Sequence, residues 1–331
     1  MPSAQIVDVV SFMPERIVDN TELISSSEDE LEKNPFFKGV KQRRFASPEY
    51  QSSDLGTYAL KKLLERTETK PEELDLILYS CIFNDFFCPG IGSAIQYGVG
   101  ANRATVLNID TGCSSYLSML NTARAFIESG LYKTIAVVTV TNYISRLPEL
   151  QNSKRYSVLG DGASATLLVD GQSSFVASYE RSYGEHYGLL VGQPDLVDGR
   201  FLNYWENGSG QITINFSQEM LDTLRSNALR LVPEAVSKCL YQAGLSSDDI
   251  SLLITHQPNV LFIKEWRERI GIGEPRVHDT IECYGNLFQG SIPVTLADAI
   301  EKNKVQSGDL LALGTFSNGG DFVSSTVIRW R

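Results

Sequence analysis

The chain repeats itself. Residues 59–80 (ALKKLLERTETKPEELDLILYS) align without a gap onto residues 235–256 (AVSKCLYQAGLSSDDISLLITH), at a constant offset of 176 positions. Leu60, Leu63 and Leu64 fall on Val236, Cys239 and Leu240, so each copy keeps the apolar stripe of a helix ahead of a turn and a strand. The same offset places KTIAVVT (133–139) on DLLALGT (309–315). At a shorter offset, Asp161, Ser164, Ala165 and Thr166 face Asp321, Ser324, Ser325 and Thr326. Three matches in one order indicate two copies of a βαβαβ-type unit, over residues 1–170 and 171–331.

Short β-branched runs alternate with amphipathic stretches throughout. Strands are predicted over 75–82, 105–109, 134–140, 164–169, 251–255, 310–315 and 323–328, and helices over 54–66, 114–129, 217–243, 260–270 and 291–302. Continuous apolar strands separated by helices belong to sheets covered on both faces, an α/β architecture. The irregular stretch 178–214 reads equally as a binding loop and as a plain surface excursion.

Charge and cysteine usage narrow the function classes. A net charge of −11 leaves no general basic face for a nucleic-acid backbone. No apolar run approaches the roughly 20 residues of a membrane span, and the N-terminus lacks the pattern of a secretory signal. Five cysteines, an odd number, fit a reduced cytoplasmic protein better than a disulfide framework. Cys81 and Cys88 do not have zinc-ligand spacing and the three histidines are scattered, so no metal site is expected.

Four segments could carry chemistry. Cys113 follows a strand and an Asp-Thr-Gly turn and opens a helix, where unpaired N–H groups and the helix dipole are expected to lower a thiol pKa. The alternative is a small buried cysteine, and the segment alone leaves both open. His256 ends the repeat-related strand of the second copy, where α/β sheets present catalytic groups, but a structural histidine reads the same way. Asn286 lies before a helix, as a functional amide or as a turn residue. The stretch GTFSNGGDF (314–322) is either an ordinary turn or a source of backbone N–H donors.

Taken together, GVKQRRFASPEYQSSDLGTYALKKLL (39–64), DTGCSS, VLGDGASATLL (158–168), ITHQPN, ECYGN and SNGGDFVSSTVIRW resemble the β-ketoacyl-acyl-carrier-protein synthase III type of condensing enzyme, in the thiolase superfamily. The resemblance runs in order over almost the whole chain. It implies a five-layer αβαβα fold made from two duplicated halves, a cytoplasmic dimer, and no metal or redox cofactor. The family's nucleophile maps onto Cys113, its two enolate-stabilising residues onto His256 and Asn286, and its oxyanion glycine onto Gly319, paired with the Cys113 N–H. The implied substrates are an acyl thioester, on coenzyme A or an acyl carrier protein, and a malonyl-type thioester. The implied reaction is decarboxylative Claisen condensation through acyl-Cys113. Two other readings stay open: an acyltransferase passing the acyl group from Cys113 to a non-malonyl nucleophile, and a partner subunit that forms a heterodimer with an active paralogue.

The chain also departs from the family. Lys33 and Phe37 stand where the family holds an adenine between Trp and Arg, and Leu261 stands where an Arg usually follows the His-Gln-x-Asn segment. A carrier protein therefore reads better than coenzyme A as donor. Leu287 and Phe288 replace small polar residues after the Gly-Asn pair, and Cys88 replaces an aromatic before Pro89. These three positions are expected to reshape the acyl pocket, which suggests specialised or secondary metabolism. For an acidic carrier, Lys264, Arg267 and Arg269 form a candidate docking cluster. A second cluster, Lys38, Lys41, Arg43 and Arg44, reads as docking surface or as internal salt-bridge partners.

Overall fold

The structure, a computed structural model, describes residues 1–22, 34–147, 151, 154–194, 196–197, 200–201, 212–214 and 217–331. In chain order the strands are β1 (Ala4–Phe12), β2 (Arg16–Asp19), β3 (Gln42–Phe45), β4 (Leu76–Cys81), β5 (Thr105–Asn108), β6 (Thr134–Thr141), β7 (Gly162–Asp170) and β8 (Phe175–Ser182). There follow β9 (Gly192–Pro194), β10 (Leu196–Val197), β11 (Arg200–Phe201), β12 (Ile212–Ile214), β13 (Leu252–Thr255), β14 (Leu310–Ser317) and β15 (Phe322–Arg329). The helices are α1 (Ser52–Arg66), α2 (Gly92–Val99), α3 (Ser115–Glu128), α4 (Gln218–Ala243), α5 (Val260–Ile270), α6 (Ile281–Tyr284) and α7 (Ser291–Glu301).

Two sheets organise these elements. One has the order β1-β7-β6-β4-β5, and the other β13-β14-β15-β8. The pairs β4–β5, β4–β6 and β13–β14 run parallel, and the remaining pairs of the two sheets antiparallel. The repeat survives in this register, since β4 and β13 begin 176 residues apart, as do β6 and β14. The turns before β4 and β13 carry equivalent caps. Glu73 accepts from the Lys70 N–H at 2.7 Å, and Asp249 accepts from the Ser246 N–H at 2.8 Å.

The period of two in the strands assigns each face to a layer. Leu76 and Leu78 of β4 join Leu117 and Leu120 of α3, Leu296 of α7, and Leu311 and Leu313 of β14 in a core between the sheets. Ile77 and Tyr79, on the opposite face of β4, pack with Leu60 and Leu63 of α1 and Ile95 of α2. Ala312 and Phe316 of β14 pack outward on Val232 and Val236 of α4 and Trp266 of α5. The order is therefore helix, sheet, helix, sheet, helix, the five layers implied by the resemblance. Helix boundaries follow local chemistry: Ser217 Oγ accepts the Met220 N–H at 3.2 Å to start α4, and Gly244 ends it in the left-handed region. Trp266 Nε1 donates to Ala228 O at 2.7 Å, tying α5 to α4. No helix among the described residues is long and apolar enough to cross a membrane.

The expected strands and helices form within a few residues of their predicted bounds. β1, β2, β3, β8, β9–β12, α2 and α6 were not among them. β5 is shorter than predicted and lies at the sheet edge, largely exposed.

Candidate active site

The loop after β5 carries Cys113 through the one-turn helix Gly112–Ser114 into α3. Side chains of β14 fix this turn from the other sheet. Ser317 Oγ accepts the Ser114 N–H at 2.9 Å and donates to the Thr111 carbonyl, and Thr315 Oγ1 donates to the Cys113 carbonyl at 3.4 Å. Ser115 Oγ accepts the Thr111 N–H at 2.9 Å and closes the turn.

The thiol pKa departs from the sequence expectation. Burial pushes Cys113 up to about 12; the Asn318 N–H opposes that shift, the Asp321 and Asp110 carboxylates add to it, and the residue's own N–H opposes it again. The residue is half-buried, and loss of water around its sulfur outweighs the dipole of a helix that starts two residues later.

The N–H groups that face the sulfur belong to Cys113 and to Asn318, next to the expected Gly319. A Cβ on Gly319 would meet Leu189 at 2.4 Å, and its carbonyl accepts Asn227 Nδ2 at 2.9 Å. The turn that presents Asn318 is closed by the Gly320 N–H on the Ser317 carbonyl at 2.7 Å, with Asn318 at φ 46°.

His256 follows β13 directly, and its N–H donates to Gly314 O at 2.9 Å. The side chain is 2% exposed, with Phe316 edge-on at 6.1 Å and Nδ1 unpartnered. Burial alone holds its pKa down at about 3, so the ring is neutral at physiological pH. The neighbouring motif residues are structural. Gln257 Oε1 accepts the N–H groups of Thr280 and Ile281, and Asn259 Oδ1 caps α5 at the Phe262 N–H.

Asn286 is held with its amide nitrogen available. Oδ1 accepts the Phe288 N–H at 2.8 Å and Ser291 Oγ at 3.4 Å, which leaves Nδ2 as the donor toward the cavity. Its backbone is clamped from residues 158–160: Asn286 N donates to Val158 O at 2.6 Å, and Gly160 N donates to Asn286 O at 3.2 Å. Only glycine allows this approach. A Cβ on Gly160 would sit 2.2 Å from Tyr284 O, and one on Gly285, at φ 72°, would sit 2.6 Å from Val158 O.

Cys113, His256 and Asn286 therefore converge on one cavity of about 110 Å³, whose other walls include Phe36, Phe37, Phe262 and Phe316. Cys113 also lines a second, more open cavity of about 660 Å³, bounded by Cys81, Phe83, Tyr143 and Gln289. Phe288 faces both cavities. Leu287 faces neither: it is 1% exposed, packs beside Gly160 and Gly162, and accepts Thr141 Oγ1 on its carbonyl at 2.6 Å. Cys88 is exposed and lines neither cavity of its own chain.

The proposed docking cations are paired. Lys264 lies 3.9 Å from Glu268, Arg269 3.6 Å from Glu265 and Arg267 2.8 Å from Glu274. In the second cluster Arg43 is fully buried, with Nε on Asn20 Oδ1 at 2.7 Å, and Lys41 pairs with Glu282. Leu261 is partly buried against the outer core, and Lys33 lies outside the described residues.

Comparison with known proteins finds relatives along the length of the chain. The family model described as "3-Oxoacyl-[acyl-carrier-protein (ACP)] synthase III" matches residues 107–184, and its C-terminal counterpart matches residues 240–330. A β-ketoacyl-[acyl-carrier-protein] synthase III of Caldanaerobacter subterraneus subsp. tengcongensis is 29% identical over 337 residues, covering 99% of this chain and 98% of the relative. The crystal structure of the 3-oxoacyl-[acyl-carrier-protein] synthase III from Aquifex aeolicus superposes with a TM-score of 0.83 at 26% identity, over 99% of this chain and 100% of that one. The β-ketoacyl-[acyl-carrier-protein] synthase III from Thermus thermophilus gives 0.84 at 25%, over 99% of both chains.

Proposed function

Because this chain belongs to the 3-oxoacyl-[acyl-carrier-protein] synthase III family of acyl-transferring condensing enzymes, we propose that it joins two acyl units by decarboxylative Claisen condensation through acyl-Cys113. The observation that carries this reading is the placing of Cys113 between two cavities, with the His256 ring and the Asn286 amide lining the smaller one.

In the first half-reaction the Cys113 sulfur attacks the carbonyl carbon of an acyl thioester. The N–H groups of Cys113 and Asn318 bind the oxygen as it becomes negative, contacts worth about 3–4 kcal/mol each when lost. Collapse forms the Cys113 thioester and releases the donor thiol, which takes the proton that Cys113 carried. In the second half-reaction the carbonyl oxygen of a malonyl-type thioester accepts hydrogen bonds from neutral His256 and from Asn286 Nδ2. Loss of CO2 leaves an enolate at that oxygen. The two donors stabilise its charge without supplying a proton, as a ring held at pKa about 3 requires. The enolate carbon attacks the acyl carbon, and the Cys113 thiolate leaves and takes up a proton from solvent to restore the thiol. A specialised biosynthetic role is our reading of the chain's departures from the family, of which Phe288 lines both cavities.

The assembly is read as a cytoplasmic dimer. β5 is an open sheet edge with Leu107 40% exposed, and Phe86 and Phe87, in the loop after β4, are 69% and 85% exposed, features suited to contact with a second copy. Only across such an interface would Cys88 meet a neighbouring acyl pocket. Residues 1–170 and 171–331 are read as the two copies of the duplicated unit.

The test is intact-protein mass spectrometry with a panel of acyl thioesters, followed by release of labelled CO2 from a malonyl thioester. One acyl mass on Cys113 and labelled CO2 support the proposal. Acylation without CO2 replaces it with the acyltransferase reading, and no acylation by any donor favours the partner-subunit reading.

A further inference from the structure

Phe288 sits where three features meet. Its backbone N–H holds Asn286 Oδ1 at 2.8 Å, so it belongs to the turn that aims the amide. Its ring is half-buried and faces both cavities, and Tyr143 meets it edge-on at 5.7 Å between centroids. Tyr143 is in turn buried against Phe83 at 5.1 Å, so the ring is braced from the side of the larger cavity. Its backbone has φ 49°, a left-handed conformation that is rare for a bulky residue and relaxed for glycine. A ring kept in a strained position beside a reacting group points to a task for the ring.

We propose that the Phe288 ring is the partition between the two cavities and the residue that restricts the second substrate to an unbranched malonyl head. This rests on the condensing reading only for the identity of that substrate. The smaller cavity, about 110 Å³, has about one sixth of the room of the larger, about 660 Å³. A carboxylate-bearing head fills that space beside His256 and Asn286. An alkyl branch on the carbon between the two carbonyl groups has to displace the Phe288 ring. Without the ring the space opens into the cavity of about 660 Å³, which holds such a branch.

Phe288→Gly is the clean variant, because it removes the ring while keeping the N–H that holds Asn286 and relaxing the positive φ. The probes are pantetheine amides of malonate and of butylmalonate, in which nitrogen replaces the thioester sulfur so that neither acylation nor decarboxylation takes place. Calorimetry on the full chain measures both dissociation constants. The wild type is expected to bind the butyl form about 30-fold more weakly than the malonyl form, and Phe288→Gly to narrow that ratio to about threefold. Phe288→Ala, checked by circular dichroism, narrows the ratio in the same way and serves if the glycine variant does not fold. An unchanged ratio in whichever variant folds, or no discrimination by the wild type, overturns the proposal. CO2 release from malonyl thioester by the wild type is read separately. Its absence refutes the decarboxylative reading, while the binding ratio still decides the role of the ring.

Discussion

Replacing His256 by glutamine tests whether the imidazole is held neutral by its surroundings. Burial lowers its pKa from 6.5 to about 3. In the unfolded chain the same ring takes up a proton as the pH falls below 6.5, while the folded protein does not. Between those two values the unfolded state binds more protons, so the folded state loses stability as the pH falls, by about 1.4 kcal/mol per unit from this group. At pH 5 the accumulated loss is about 2 kcal/mol, and it vanishes well above pH 6.5. His256→Gln carries no titrating group, and every other group titrates alike in the two proteins. Urea unfolding of both at pH 8 and pH 5 should therefore show the wild type losing about 2 kcal/mol more than the variant. The variant offset at pH 8 reports only the repacking of an amide beside Phe316. Equal losses in the two proteins would refute the burial argument, and so would an acid limb near pH 6.5 in decarboxylation that disappears in His256→Gln.

Cys113→Ala should abolish acyl-enzyme formation while variants of Cys81, Cys88, Cys239 and Cys283 still acylate; a persisting acyl mass in Cys113→Ala would locate the nucleophile elsewhere. With its thiol raised to about 12 by burial, Cys113 of the free enzyme should react with iodoacetamide at pH 7.5 more slowly than exposed Cys283, as read by peptide mapping. Asn286→Ala should lower CO2 release by about 10²–10³-fold with little effect on self-acylation. Ser291→Ala should cost about tenfold or less, because the Phe288 N–H still holds Oδ1; the two half-reactions measured separately decide both expectations. Reversing Lys264 and Arg269 to Glu makes α5 strongly acidic and should raise KM for a carrier-borne donor, leaving an N-acetylcysteamine donor unaffected. Equal losses on both donors would show damage to the fold instead of to docking.

The duplicated architecture was legible because it is written in apolar spacing. A stripe such as Leu60, Leu63 and Leu64 and a strand such as 76–81 have few other solutions. Elements with mixed patterns were not legible: β1 mixes Asp8 and Gln5 with its apolar residues, β8 ends in Tyr-Glu-Arg-Ser, and α2 contains two glycines. The convergence of Cys113, His256 and Asn286 was expected, but the chemical state of the thiol was not. A helix start is visible in sequence, whereas the loss of water around a sulfur depends on residues two hundred positions away. Asn318 shows the same limit, because which N–H of a turn faces a ligand depends on a dihedral angle. Leu287 and Phe288 are adjacent and both apolar, yet one enters the core and the other a cavity wall.

The clamps on the two reacting segments run in opposite directions. Ser317 and Thr315, late in the chain, set the turn of the early nucleophile, and residues 158–160 set the backbone of the late amide. Neither segment thus owns its own geometry. Chimeras of this chain and a distant relative, joined near residue 170, would inherit the core under α1 and α2 from one parent and the core between the sheets from both. They would still combine clamps and clients drawn from different lineages. Productive crossovers are those that carry residues 158–160 with 284–286, and 111–115 with 315–318, from a single parent, and a crossover scan scored for activity among well-folded clones would show inheritance in those blocks.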